Sequence, residues 1–262
     1  MAPRPGGDAR GCLGVWRDGP LADTLTRLAR EGPDEFYTGP VAEASVAKVT
    51  NPPAGATPGR MGLEDLRSYR AEARQPACTF YRRWEICGFP PPSSGGLAVA
   101  QIMGMLEHFD LAAYAPQPAL AGEAVHLIAE AMRLAYADRD HYVADPAYVT
   151  FPGGSWRTLL DTGYLRARAA MIAPNRSMGT ALPGDPSLAR AAHPGRDLPE
   201  TTHVSLVDSY GNALAMTSSI EGGFGSFMAV EGFLLNNQLT DFSPVPADAA
   251  GLTATLRRNP QP

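Results

Sequence analysis

The change of period at residue 201 constrains this chain more than any other feature. Residues 174–200, PNRSMGTALPGDPSLARAAHPGRDLPE, carry almost no large apolar side chain and are punctuated by proline and glycine. A structureless stretch of that length is uncommon inside a compact domain and is usually functional or disordered. Directly after it the hydrophobic period becomes two: TTHVSLVD, a turn SYGN, then ALAMTSSI. That is the pattern of adjacent strands joined by a tight turn. The expectation is a flexible tether over 174–200 that feeds a strand beginning Thr-Thr.

Upstream, the signals are helical. Leu21, Leu25 and Leu28 fall at helical spacing behind Asp18, a candidate cap, and residues 40–49 read as a second short helix. Residues 50–60, TNPPAGATPGR, read as a linker, and CTFYRR and WEICGF read as two strands between 74 and 89. Residues 95–107 and 119–142 carry the strongest apolar stripes, and a shorter helix is expected over 162–172. With 44% apolar residues among 262, a sizeable core is available. A formal charge of −5 argues against nucleic acid or an anionic membrane as partner, because no basic surplus exists to neutralise phosphates. No segment approaches the ~20 apolar residues of a membrane span, and the first residues lack the apolar core of a secretory signal. The chain reads as soluble, with its compartment open.

At the junction, strand alternation puts Thr201, His203 and Ser205 on one face. A hydroxyl is a poor nucleophile at neutral pH and needs a base. A threonine that becomes an N-terminus carries that base as its own α-amine. The amine's reference pKa of about 7.7–8.0 already suits the task. The chemistry requires the bond between Glu200 and Thr201 to be cut.

TTHVSLVDSYGNALAMTSSIEGGFGS followed by GFLLNNQLTDFS resembles the processing site and early small subunit of the γ-glutamyltranspeptidase family of N-terminal-nucleophile hydrolases. LADTLTRLAREGPDEFYTG, MGLEDLRSYRAEARQP, FPPPSSGG and HLIAEAMRLAYADRDHYVADPAYV agree in the same order, so the likeness runs from residue 20 to residue 243. The resemblance implies an α+β fold, part of an αββα sandwich, cut autocatalytically into two subunits that stay associated. Residues 1–200 would be the C-terminal part of the large subunit and 201–262 the N-terminal part of the small one. It implies Thr201 as nucleophile, cleavage between Glu200 and Thr201, and Ser219 as the hydroxyl that orients the nucleophile. Gln238 and Asp241 match residues that hold the substrate's α-amino group, and Glu221 stands near it where most members have asparagine. The implied reaction transfers a γ-glutamyl group, as from glutathione, to water or an amino acid, with no metal or organic cofactor. Family precursors are roughly twice this length, as several packed layers require. The family's carboxylate-binding arginine, paired serines and oxyanion-hole glycines are therefore expected outside this chain.

Two alternatives stay open: a related acylase cleaving a glutaryl or similar side chain, and a non-catalytic fragment. Four smaller features have plainer readings. His203 invites a role as base but is expected to be structural, since the amine fills that role. Ser93 and Ser94 lack the GxSxG pattern and are expected to cap the helix after them. His126, Glu130, Asp138 and His141 cannot converge on one metal ion from a straight helix, so a solvated or salt-bridged face is expected. Cys78 and Cys87 flank a hairpin and could bridge in an oxidising compartment, but buried free thiols are the favoured reading for the three cysteines.

Overall fold

The computed structural model describes residues 17–114, 122–186 and 201–241. In chain order these form helices α1 (Gly19–Glu31), α2 (Asp34–Tyr37), α3 (Pro40–Thr50) and α4 (Leu63–Ser68) and strands β1 (Ala77–Tyr81) and β2 (Trp84–Gly88). Helices α5 (Gly95–Leu106), α6 (Gly122–Tyr142) and α7 (Thr162–Ala169) follow. Strands β3 (Thr202–Val207), β4 (Ala213–Ser218), β5 (Ala229–Val230) and β6 (Phe233–Leu234) come last. The described strands pair as three antiparallel two-stranded sheets, β1–β2, β3–β4 and β5–β6. Among the described residues no helix is long and apolar enough to cross a membrane. Two units emerge, one of residues 17–71 and 201–237 and one of 72–186 and 238–241.

The second unit holds the main core. Leu97, Met105, Leu127, Leu134 and Leu159 are fully buried where α5, α6, α7 and the segment before α7 meet. Each such side chain contributes about 1.5–3 kcal/mol by leaving water. The β1–β2 hairpin lies against the start of α5, where Gly88 and Gly96 touch; a Cβ on Gly88 would come within 2.6 Å of the Gly96 Cα. Ser94 occupies the N-cap position of α5 but makes no capping bond. Its hydroxyl instead accepts from Arg139 Nε at 3.2 Å, so the capping role expected of it is not the one it plays.

The polar face of α6 meets the salt-bridged half of its expectation, with Arg168 paired to Asp138 at 2.9 Å and Arg133 to Glu130 at 3.4 Å. It is buried, not solvated. His126, Glu130, Asp138 and Tyr142 recur every four residues or a multiple of four and line one stripe, and residues 173–184 are bound along it. His126 Nε2 lies 2.8 Å from the Ala173 carbonyl oxygen. Glu130 accepts from the Ser177 hydroxyl at 2.9 Å and the Met178 amide at 2.7 Å. Arg133, beside the stripe, donates to the Gly179 carbonyl at 2.7 Å, and the Tyr142 hydroxyl donates to the Gly184 carbonyl at 2.6 Å. Asp138 accepts from the Gly184 amide, Gln101, Tyr164 and Arg168 at 2.7–2.9 Å. Glu130 is 2% exposed and Asp138 0%. Burial opposes ionisation of Glu130, yet the Met178 amide, the Ser177 hydroxyl and the charges of His126 and Arg133 outweigh it and hold its pKa below the ordinary value. At Asp138 burial wins over Arg168 and the other donors, and its pKa is raised. The first half of the expected flexible tether is therefore part of the helical unit. Residues 187–200 lie outside the described residues.

In the first unit, Asp18 caps α1 as its sequence position suggests, accepting from the Leu21 amide at 3.0 Å. The Leu21–Leu25–Leu28 stripe is only half used: Leu25 is exposed, and the buried residue is Thr24. The Thr24 hydroxyl donates to the Glu231 carbonyl at 2.8 Å, and Arg27 bridges Glu231 and Glu35. Those bonds tie α1 to the β5–β6 turn, and Phe36 packs on Phe233 with ring centroids 5.8 Å apart. The hairpin that follows Thr201 thus shares a unit with helices from earlier in the chain.

Candidate active site

The site is set by the register of one hairpin. At the β3–β4 turn, Asp208 Oδ1 accepts from the amides of Tyr210 and Asn212, and Oδ2 accepts from the Asn212 side chain. These bonds, the Asn212 side chain's first among them, hold the Asp208 carboxyl below its ordinary pKa. Gly211, at φ +87°, supplies the left-handed residue the turn needs. With the turn fixed, Val207 pairs with Ala213 and the ladder runs back to Thr202 opposite Ser218. A one-residue slip would send every side chain to the other face.

The next pair along is Thr201 and Ser219. The Thr201 hydroxyl donates to Ser219 Oγ at 3.3 Å, and Ser219 Oγ also accepts from the Glu221 amide at 2.9 Å. Ser219 is thereby oriented by the backbone beyond it and draws on the proton of Thr201. Thr201 is exposed and Ser219 half-buried. His203, on the same face, spends its ring nitrogens on Thr217 at 2.8 Å and Ser205 at 3.2 Å. It braces the hairpin, as expected of it.

Glu221 opens a tight loop and sits at φ +67°, a left-handed conformation that costs a non-glycine residue about 1–3 kcal/mol. The loop is closed from β6's side. Asn237 Oδ1 accepts from the Gly222 amide at 2.9 Å, and the Asn237 amide donates to the Ile220 carbonyl at 3.3 Å. At Gly225 any Cβ would strike the Leu235 carbonyl, so only glycine fits. Asn237 escaped the sequence reading; its signal was the polar pair Asn236-Asn237 ending an apolar strand. Gln238 and Asp241 open and close a 3₁₀ turn, Gln238–Asp241, within the other unit. Glu200 lies outside the described residues.

The cysteine expectation needs correction: Cys78 and Cys87, paired across β1–β2, form a disulfide rather than buried free thiols.

The family pattern described as Gamma-glutamyltranspeptidase matches residues 8–262. The chain is 36% identical over 232 residues to a glutathione hydrolase proenzyme of Escherichia coli, covering 86% of this chain and 37% of that protein. It is 35% identical over 238 residues to an acylase ACY 1 proenzyme of Pseudomonas sp. strain V22, covering 90% and 39%. Among solved structures, a cephalosporin acylase from Bacillus halodurans aligns with a TM-score of 0.72 at 27% identity, over 93% of this chain and 40% of that one. The chain thus spans about two fifths of the length of these curated relatives. Its fold class is α+β, a partial sandwich of the N-terminal-nucleophile hydrolase type. On this pattern and these likenesses the chain belongs to the γ-glutamyltranspeptidase family.

Proposed function

We propose that this chain carries the self-processing nucleophile of a γ-glutamyl-transferring enzyme, and that the nucleophile is Thr201. The observation that carries the reading is the Thr201–Ser219 hydrogen bond at the start of a register-locked hairpin. Thr201 Oγ attacks the carbonyl carbon of Glu200, and the amide nitrogen leaves as the α-amine of Thr201. Water hydrolyses the resulting ester and releases a carboxylate at Glu200. The freed amine, with a reference pKa of about 7.7–8.0, then takes the hydroxyl proton in each later attack. In turnover, Thr201 Oγ attacks a γ-glutamyl amide such as glutathione, the amine product leaves with a proton, and water or an amino acid resolves the ester. Gln238, Asp241 and Glu221 hold the substrate's α-ammonium, a group that needs charged partners once desolvated. The two segments on either side of the cut remain associated.

The test is intact-mass analysis of the purified chain. Fragments corresponding to 1–200 and 201–262 are expected, the second beginning Thr-Thr-His. Thr201→Ala stays whole, and Ser219→Ala is cut about tenfold more slowly, the worth of one hydrogen bond. Equal processing of wild type and Thr201→Ala overturns the assignment.

The acylase relatives support a second reading, in which the same Thr201 cleaves a glutaryl-type amide, while Glu221 weighs against it. A substrate without an α-amine gains nothing from that carboxylate. Comparing γ-glutamyl and glutaryl anilides as substrates separates the two, and a glutaryl preference selects the acylase.

A further inference from the structure

The β1–β2 hairpin has two unlike faces. Ala77, Ile86 and Gly88 point toward α5; Ala77 is fully buried. By alternation, Cys78, Phe80, Glu85 and Cys87 point away from it. Cys78 and Cys87 are opposite each other with Cα atoms 4.1 Å apart, the spacing of a non-hydrogen-bonded cross-strand pair, where side chains approach most closely. Their bond buries no core: Cys87, Glu85 and Phe80 are exposed. The register is already held by five residue pairs and by the packing of the inner face on α5. A staple closing a separation of nine residues constrains the unfolded chain less than one closing a long loop.

The outer face also holds a third donor. The Sγ atoms of Cys78 and Cys87 and a carboxylate oxygen of Glu85 all lie within 4.8 Å of one another. We propose that this face is a reduction-gated site for one soft divalent cation, zinc or cadmium. Reduction takes two equivalents of a monothiol. The first, as thiolate, attacks the exposed Cys87 sulfur, forms a mixed disulfide there and releases the Cys78 thiolate, which takes a proton. The second attacks the outer sulfur of that mixed disulfide, frees Cys87 as a thiol and leaves as the symmetrical disulfide of the reductant. Two electrons and two protons pass from the thiols to the bridge. The ladder keeps both sulfurs opposed, and a cation displaces their protons to solvent. Two thiolates select a soft ion over magnesium or calcium, and three protein ligands leave the fourth tetrahedral position to water. Cation binding and the disulfide are mutually exclusive, so the thiol state of the surroundings decides which forms.

The site is tested on the full chain with Cys12→Ser, which removes the third cysteine, using cadmium as probe. Before reduction, thiol titration finds no free thiol and cadmium gives no thiolate charge-transfer absorbance. After reduction and removal of reductant, two thiols appear and one cadmium per chain produces the band, displaceable by zinc. Adding Cys87→Ser abolishes the band; adding Glu85→Gln weakens binding at least about tenfold, since loss of even an outer-shell partner of a metal ligand costs that much. Three results overturn the proposal: no band in the reduced chain, a band that survives Cys87→Ser, or half a cadmium per chain, which would mean bridging between molecules. Circular dichroism of the reduced, metal-free chain should match that of the oxidised chain; loss of folded signal there also overturns it, because the ladder must hold the ligands unaided.

Discussion

The buried stripe of α6 and the exposed hairpin β3–β4 each invert what their composition suggests. The stripe is built of charged and polar side chains, yet Glu130 and Asp138 are sealed from solvent. The hairpin alternates apolar residues on one face, yet Leu206 is 56% and Leu214 50% exposed. The difference lies in partners. Asp138 meets four donors and Glu130 two, supplied by residues that pack along the helix. Among the described residues the hairpin strands pair only with each other. A two-stranded ribbon is marginal alone, so within the described residues the hairpin lacks the support that the α6 stripe has.

The largest effect is expected at Asp138. Asp138→Ala leaves the buried Arg168 guanidinium without its carboxylate and should cost about 3–5 kcal/mol, read by urea denaturation. A loss under 1 kcal/mol would break the contrast between the two regions. Glu130→Gln removes a charged acceptor from Ser177 and Met178 and should cost about 1–3 kcal/mol near neutral pH. Because the folded-state pKa of Glu130 is lowered, its stabilisation is full above its ordinary pKa of 4.5 and is lost as pH falls through the folded value. The gap between wild type and Glu130→Gln should therefore close in acid; a gap that stays constant on acidification refutes the role given to those bonds.

What was legible in the sequence was local. Period two and a tight turn located β3 and β4, and from their register the Thr201–Ser219 pair follows. Asp18 announced α1 because a cap bonds within its own turn. That the salt-bridged α6 stripe is buried is not legible in the sequence, because its partners lie 47 and 48 residues onward at Ser177 and Met178, and nothing in a helix marks which polar face will find donors. Asn237 was missed for the same reason, since it reaches back 15 residues to Gly222. Helix α4 followed a proline- and glycine-rich linker and was passed over, though Asp65 accepts from the Gly62 amide as a capping residue does. The cysteine pair turned on register: free thiols suit isolated positions, whereas directly opposed strand positions favour a bond.

At the loop beside the nucleophile, Glu221→Asn should stabilise by about 0.5–1 kcal/mol, because asparagine tolerates the left-handed backbone better than glutamate. Equal or lower stability would mean that the carboxylate offsets its own backbone strain. The smallest effect is expected on the hairpin itself. Leu206→Ser exchanges an exposed apolar side chain for a polar one on a face that nothing among the described residues covers, and surface changes of that kind stay within about ±0.5 kcal/mol. Denaturation of the full chain measures it directly. A loss of several kcal/mol, of the size seen when a leucine is removed from a core, would mean that residues outside those described pack on this face. The hairpin would then be a core strand pair, and the contrast with α6 would shrink to one of chemistry rather than burial.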